Sequence, residues 1–352
     1  MANETLMADN SRQAPLMYRG DDMMRWMRCA VALGCGLALC SGFGPWGANA
    51  EPYPSKPITL VVPAAPGGVT DIVARSVGQK LTEAWGKPII VENKPGATNQ
   101  IAAEYVAGSA PDGYTLLVTP EATFVINPSL FEKLRYDPEK DFVPICGLVS
   151  IQQALIVNPT LSVQSVADFI ALAKSKPGQI NYGTFGPGST GHLNMEMLQT
   201  MAGIRLTAVH YKGATPALTD VMAGHIQSMF ISLGSAVEPA KAGKIKLLAT
   251  GGAQRVPQLP DLPTVAESGL PSFEAVSWFG LFAPKGTPSE LVGKLNREVN
   301  RIFSDPDFRR NFLERQFFQP MTSTPEQFAA FIKSDASKWS QVLRTANVKV
   351  DQ

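Results

Sequence analysis

Short apolar segments alternate with amphipathic segments along most of the chain, and this order restricts the fold more than any other feature. Residues 58–62 and 89–91 are rich in β-branched side chains, which favours strands buried on both faces of a parallel sheet. Between them, apolar residues recur at helical spacing from Ile72 to Leu81, and Gly86 ends the helix. The order of strand, helix and strand predicts an α/β fold with right-handed crossovers.

The same order extends over two sets of elements, which are followed by a helical tail. We predict strands at 58–62, 89–91, 115–118, 154–157, 180–182, 206–211, 226–231, 245–250 and 277–283. We predict helices at 70–85, 100–107, 166–174, 190–201, 215–222, 237–242, 289–303, 306–315 and 325–343. With 352 residues, of which 45% are hydrophobic, the chain is long enough for two α/β units with their own cores.

The first fifty residues differ from the rest and are predicted to lie outside this fold. Arg25 and Arg28 precede an uncharged apolar run at 29–40, and an Ala-x-Ala site ends at Ala50. This pattern predicts a signal peptide that is cleaved after Ala50, and therefore a periplasmic protein. The apolar run is too short to cross a bilayer. Residues 1–22 lack the pattern, so a start at one of the three methionines between 23 and 27 remains an alternative.

Three of the four cysteines lie in this leader, which leaves Cys146 alone in the mature chain. No internal disulfide and no zinc site built from several thiolates is then possible. Cys35 and Cys40 each lack one of the flanking residues that a lipoprotein signal requires. A soluble exported product is therefore favoured over a lipid-anchored one.

The charge of the chain is close to neutral. Lys and Arg together number 31, against 30 for Asp and Glu, so the net charge is +1. Without a long-range positive field, general binding of nucleic acid or of an acidic membrane surface is excluded.

A glycine-rich segment at 183–191 joins a predicted strand to a predicted helix. Several backbone N–H groups and the positive helix end then point to one place, which favours binding of an anion. Gly186, Gly188 and Gly191 also fit the spacing of a dinucleotide-binding loop. The acidic residue that such a site needs about 20 positions later is absent, so we predict neither a nicotinamide nor another cofactor.

Catalysis has little support in the residues. Ser189 is followed by Gly191 but preceded by Pro187, so the pattern of a nucleophile elbow is missed. The chain has three histidines, and their spacing predicts no metal site. His192 lies in the first turn of a predicted helix, where it can donate to a ligand or be satisfied within the helix start. A secreted hydrolase that uses Ser189 and His192 is the unfavoured alternative to a binding protein.

The loop at 63–71 repeats the anion-binding arrangement in the first set of elements. A strand ends, Gly67 and Gly68 allow close approach to the backbone, and a helix starts. Asp71 is expected to cap that helix rather than to contact a ligand. If the two units form a cleft, these two loops face each other, and the ligand that fits them is a small organic acid.

Short motifs occur in a fixed order between residues 53 and 269, within a resemblance that extends over residues 52–350. The motifs are YPSKPI at 53–58, VP followed by PGG and D within 62–71, VENKPGA at 91–97, PDGYTL at 111–116, YDP followed by DF within 136–142, YKG at 211–213 and LPTVAESG at 262–269. In this order they resemble the periplasmic solute-binding proteins of tripartite tricarboxylate transporters, also called Bug receptors. The resemblance implies a type II periplasmic-binding-protein fold, in which two crossing strands join two α/β lobes around a ligand cleft.

The resemblance also implies lobe boundaries and ligand residues. Lobe 1 is expected at 51–150 and 279–352, and lobe 2 at 151–278, with crossings near 155–157 and 277–282. In such receptors a carboxylate is held by the two glycine-containing loops, and the segment after the strand at 115–118 contributes. The residues expected to contact the ligand are Pro66, Gly67, Gly68, Val69, Thr70, Thr119, Thr123, Thr184, Phe185, Gly186, Gly188, Ser189, Thr190, His192, Tyr211 and Ser232.

Two of these positions depart from the usual pattern of such receptors. Ser232 lies where several members have an acid, which argues against an ammonium group on the ligand. Phe185 stands where a small residue is common, and its ring can either stack on an aromatic acid such as terephthalate or pack within the loop.

The residues and the resemblance together predict a receptor rather than an enzyme. It is expected to be a monomer that binds a di- or tricarboxylate and delivers it to a membrane permease. A sensor that serves a signalling partner is the alternative.

Overall fold

The structure is a computed structural model that describes residues 53–346, with the side chains of 53–344. The predicted signal peptide and its cleavage position lie outside the described residues, as do residues 347–352. The strands are β1 Ile58–Val62, β2 Ile89–Asn93, β3 Thr115–Pro120, β4 Phe142–Val157, β5 Asn181–Thr184, β6 Thr207–His210, β7 Ser228–Ser232, β8 Lys246–Thr250, β9 Val276–Pro284 and β10 Phe318–Pro320.

Most of the loops between these strands contain an α-helix. The α-helices are α1 Val69–Trp85, α2 Gln100–Ala107, α3 Asn127–Leu130, α4 Val166–Ser175, α5 Thr190–Ala202, α6 Ala214–Ala223, α7 Leu233–Lys241, α8 Ser289–Ser304, α9 Pro306–Phe308 and α10 Pro325–Ala346. Wider or tighter helical turns precede α2 and α3 and follow α9.

The strands form one sheet with two parallel sets and an antiparallel centre. The order is β2-β1-β3-β9-β4-β7-β5-β6, and β8 and β10 also pair with β4. β1 is parallel to β2 and β3, whereas β5 is parallel to β6 and β7. We call β1–β3, β9, β10 and the start of β4 the first half, and β5–β8 with the end of β4 the second half. This mixed arrangement confirms the predicted α/β class.

Two segments of the chain cross from one half to the other at the same level. Residues 142–152 of β4 pair with β9, whereas residues 153–157 pair with β7. Ala275, just before β9, exchanges backbone hydrogen bonds with Gly251 and Gln153 of the second half. The change of partners therefore occurs at 152–153 and 275–276, a few residues before each crossing expected from the resemblance.

One strand was predicted only in part and another was not predicted. Only residues 154–157 of β4 were predicted, because Pro144, Gly147 and the glutamines at 152 and 153 interrupt the apolar pattern, and β4 is irregular near 145 and 148. β10 lies in the predicted helical tail and has only three residues, so its pairing with β4 decides its conformation. The helix predicted at 306–315 is regular only over Pro306–Phe308 and continues as irregular turns.

Helices cover the first half of the sheet through apolar stripes. In α8, Leu295, Val299 and Ile302 recur at helical spacing and are buried in the same cluster as Leu60 of β1 and Leu281 of β9. This packing fixes the position of the helix starts relative to the strand ends, where the predicted ligand loops lie.

Candidate functional site

The carboxyl ends of the parallel strands place the predicted ligand loops at two sheet edges. In the first half, β1 and β3 are parallel neighbours with Val61 beside Leu117, so the loop after β1 and the segment after β3 start at one edge. In the second half, β5 is parallel to β6 and β7, so the segments after Thr184, His210 and Ser232 share another edge. Ligands of α/β proteins bind outside the carboxyl ends of strands.

Two contacts join these edges. The hydroxyl of Thr190, the first residue of α5, donates a hydrogen bond of 2.9 Å to Oε1 of Glu121 in the segment after β3. Gly188 lies against Leu130 of α3, since a Cβ at position 188 would be 2.4 Å from Leu130 Cδ2. The segment after β3 and the loop before α5 therefore lie together in the structure.

The loop after β1 is organised by the side chain of Asp71. Oδ2 accepts hydrogen bonds of 2.9 Å from the Gly67 N–H and from Arg75, and Oδ1 accepts one of 2.9 Å from the Asn93 amide. Burial acts to raise the pKa of Asp71, but these hydrogen bonds, led by that of Arg75, outweigh it and lower the pKa to about 2. The N-cap of α1 is Gly68, so Asp71 supports the loop from within the first turn instead of capping the helix.

Replacing Asp71 with asparagine is expected to lower the free energy of unfolding at pH 7 by about 1 kcal/mol, because solvent screens the half-exposed Arg75 partner. A lowered pKa means that the stabilisation is present above about pH 4 and is lost as the pH falls through 2. Urea unfolding of both proteins at pH 7 and pH 3 measures this difference, which should shrink at pH 3. Asp307→Asn, which removes an exposed Asp–Arg pair, is the matched control and should change nothing measurable.

What the loop after β1 can offer to an anion is its backbone. Pro66 and Gly67 are exposed, Gly68 and Val69 are half-buried and Thr70 is buried. Val69 packs against the core of the first half. The N–H groups of Val69 and Thr70 lie in the first turn of α1, where the helix itself supplies no acceptor.

The loop before α5 is held by Ser189 and His192. The Ser189 hydroxyl caps α5 by accepting a hydrogen bond from the His192 backbone N–H. Nδ1 of His192 accepts a 3.1 Å hydrogen bond from the Gly188 N–H. Burial, and secondarily the nearby His210, lower the pKa of His192 to about 4, so its ring is neutral near pH 7. Of the two roles predicted for His192, these contacts favour support of the helix start.

Thr184 holds the other end of this loop. Its buried hydroxyl accepts a 3.2 Å hydrogen bond from the Gly186 N–H and lies 2.7 Å from Nδ1 of His210. Gly186 and Gly188 have φ angles of +130° and +71°, conformations that favour glycine. The loop is thus shaped by its glycines and by side chains on both sides of it. The N–H groups of Thr190 and Gly191, in the first turn of α5, have no acceptor within the helix.

The ring of Phe185 lies over the start of α5. A Cβ at Gly191 would be 2.4 Å from Cε1 of Phe185, and the half-buried ring also packs against the core of the second half. The loop packing predicted for Phe185 is therefore present. No contact among the described residues tests the alternative, stacking on an aromatic ligand.

The other predicted residues make polar contacts within the protein. The hydroxyls of Thr119 and Thr123 are fully buried and lie 2.6 Å apart, so they satisfy each other. The Tyr211 hydroxyl donates a 2.6 Å hydrogen bond to Asp220, and burial followed by this carboxylate raises the pKa of Tyr211 to about 12. Ser232 precedes α7, and its hydroxyl lies 2.8 Å from that of Ser235.

The resemblance assigned a contribution to the segment after the strand at 115–118 but did not single out Glu121, which the structure places at the junction of the two edges. Its carboxyl group is fully buried, and Oε2 accepts a 3.2 Å hydrogen bond from the Trp278 N–H. Burial raises the pKa of Glu121 to about 7, and the charge of Asp335 acts in the same direction, against hydrogen bonds from Thr190 and Ser277. The available signal was an acid three residues after the apolar strand predicted at 115–118, where an exposed turn residue is the ordinary interpretation.

A model of the family described as "Tripartite tricarboxylate transporter family receptor" matches residues 73–348. The chain belongs to this receptor family. The resemblance carried by the sequence motifs is therefore confirmed.

Solved structures of similar proteins cover nearly the whole of the described chain. A protein of R. palustris solved with adipate is 35% identical with a TM-score of 0.79, and 84% of this chain and 99% of that chain are covered. The periplasmic binding protein BugD is 33% identical with a TM-score of 0.75, over 84% and 99% of the two chains. MatC from Rhodopseudomonas palustris, solved with bound malate, is 34% identical with a TM-score of 0.72, over 83% and 100%. These structures confirm the two-lobe binding-protein fold for the receptor.

The receptor family is one of solute-binding proteins and not of enzymes. Among residues 53–344, the hydrogen bonds do not pair the Ser189 hydroxyl with the His192 ring, since the hydroxyl bonds a backbone N–H and Nδ1 bonds Gly188. The same residues contain no cluster of three or more acids, histidines and cysteines that could hold a metal ion. No described helix is both long enough and apolar enough to cross a membrane.

Proposed function

We propose that this receptor binds a small dicarboxylate in the periplasm, between its two lobes, and delivers it to the permease of a tripartite tricarboxylate transporter. The observation that carries the proposal is the meeting of two strand-end edges, each with a helix start, at the contacts of Thr190 with Glu121 and Gly188 with Leu130. Adipate and malate in the two structures of similar proteins support a dicarboxylate.

Two helix starts explain how a nearly neutral protein holds an anion. The free N–H groups of Val69 and Thr70 on α1, and of Thr190 and Gly191 on α5, carry partial positive charge from the helix dipoles. Such donors replace the water around a carboxylate without an excess of lysine or arginine. Because the groups are held by the Asp71 and His192 contacts, little ordering is needed when the ligand binds.

The lobes proposed for this binding mode are residues 51–150 with 279–352, and residues 151–278. The change of strand partners at 152–153 and 275–276 supports boundaries close to these positions. Two crossing segments form a hinge about which the lobes close on the ligand. We further propose that the receptor acts as a monomer and only binds its ligand, without turning it over.

A panel of carboxylic acids tests this function. The mature protein is expected to unfold at a higher temperature with adipate, malate or terephthalate, because a ligand at about 100 times its Kd stabilises the folded state by about 3 kcal/mol. Differential scanning fluorimetry measures the shift, and the amides of the same acids serve as uncharged controls. A protein that responded to no acid on the panel but hydrolysed esters would contradict the proposal. A response to terephthalate alone would favour stacking on Phe185.

A further inference from the structure

Glu121 occupies the junction of the two halves in an unusual state for an acid. It follows β3 of the first half, accepts a hydrogen bond from Thr190 of α5 in the second half, and accepts another from Trp278 of the crossing strand β9. Its side chain is fully buried. A buried carboxylate without a cationic partner is costly, and it becomes less so when the group takes up a proton.

Asp335, the acid whose charge acts on Glu121, has its own partners. Asp335 of α10 is buried and accepts a 2.7 Å hydrogen bond from the Trp278 indole, and Lys338 lies 2.8 Å from its other oxygen. Lys338 also lies 3.5 Å from Glu274, before β9. The groups that face Glu121 from α5 and β9 are the Thr190 hydroxyl, the Ser277 side chain and the Trp278 N–H, all uncharged. Among the described residues, no ion pair compensates the charge of Glu121.

The same residue that contacts Glu121 also belongs to the proposed anion site. Thr190 presents its hydroxyl to Glu121 and its backbone N–H at the free start of α5. A ligand carboxylate held by that N–H would lie close to the Glu121 carboxyl, because both groups would contact the same residue. Two negative charges so close repel each other strongly, whereas a protonated Glu121 does not repel the ligand.

We propose that Glu121 is a specificity-determining residue of the carboxylate site, and that a dicarboxylate binds the form in which Glu121 is protonated. The inference rests on the proposed function and adds its pH dependence. A protonated Glu121 keeps both of its contacts, because the Thr190 hydroxyl can turn and accept the new O–H while Oε2 still accepts from Trp278.

The pKa of Glu121, about 7, places this change within the ordinary range of pH. His192, whose pKa is about 4, stays neutral in that range. Two further ionisable side chains lie near the loop: His210, through its contact with Thr184, and Glu196, whose Oε1 lies 3.8 Å from Nε2 of His192. An experiment must therefore separate Glu121 from His210.

Isothermal titration calorimetry of adipate and of malate at pH 6, 7 and 8 tests the inference. The Kd of the wild-type protein is expected to rise about tenfold from pH 6 to pH 8, as protonated Glu121 becomes scarce. Titrations at pH 8 in buffers of different ionisation enthalpy should show uptake of about one proton per ligand. In Glu121→Gln, whose amide keeps the geometry of the protonated acid, the Kd should not depend on pH and no proton should be taken up.

Glu83→Gln is the matched control, because it makes the same chemical change on an exposed part of α1 and should follow the wild type. Parallel pH profiles in the wild type and Glu121→Gln would overturn the inference while leaving the proposed function intact. If neither acid binds, terephthalate is titrated in the same way, and absence of binding of all three acids at every pH would overturn both. If Glu121→Gln does not fold, proton uptake on ligand binding is measured in His210→Asn instead. Loss of the uptake in that variant would assign the proton to His210 and overturn the inference, whereas unchanged uptake would support it.

Discussion

Replacing Gly188 with alanine is expected to weaken adipate or malate binding about 30-fold while the protein stays folded. The substitution adds a side chain to a residue with φ of +71° and brings its Cβ to 2.4 Å from the buried Leu130. The left-handed backbone and the overpacking together cost about 2 kcal/mol in the observed loop conformation. The free variant avoids this cost by moving the loop, so binding must restore the conformation, and about 2 kcal/mol corresponds to a change of about 30-fold in Kd. Calorimetric titration at pH 6 measures the Kd, and circular dichroism verifies the fold.

Gly203→Ala is the matched control at the other end of the same helix. Gly203 ends α5 with φ of +62°, and no atom lies within 4 Å of the position that a Cβ would take. The variant should lose stability but keep its affinity for the acid. Adding Leu130→Ala to Gly188→Ala should recover part of the affinity, because it removes the atom that the new Cβ meets. Equal affinity losses in the two glycine variants would contradict the assigned role of this loop.

Glu121→Gln is expected to have a free energy of unfolding close to that of the wild type at pH 5 and higher than that of the wild type at pH 8. Burial raises the pKa of Glu121 from 4.5 to about 7, so the folded state holds the proton more tightly than the unfolded chain. The stabilisation from this proton is fully present below pH 4.5 and is lost as the pH rises through 7. The total loss in the free energy of unfolding is about 3 kcal/mol. Glutamine has no proton to lose, so the variant is not destabilised in this way.

Chemical unfolding in the absence of ligand, at half-unit steps from pH 5 to pH 8, measures the difference between the two proteins. Glu83→Gln again serves as the control, since an exposed glutamate should leave the profile unchanged. A constant difference across this range would mean that Glu121 keeps an ordinary pKa in the folded protein. This measurement needs no ligand, so it is independent of the proposed function.

Much of the fold follows from local patterns in the sequence. The strand at 58–62 and the helix that ends at Gly86 were predicted within about one residue, because both have a strong apolar period and glycine or proline at their ends. β10 was not predicted, because three residues carry no period and its hydrogen bonds come from β4. The first part of β4 was missed for a similar reason, since its irregular stretches hide the alternation.

In the candidate site, too, some features follow from the local sequence and others only from tertiary packing. The sequence by itself determined the two glycine-containing loops, since a positive φ and a free helix start depend on residues that are neighbours in the chain. Only the tertiary structure decided that Glu121 is buried and meets Thr190, 69 positions further along the chain. Its pKa depends on desolvation, a property of everything packed around the group, and no local pattern in the sequence encodes that packing.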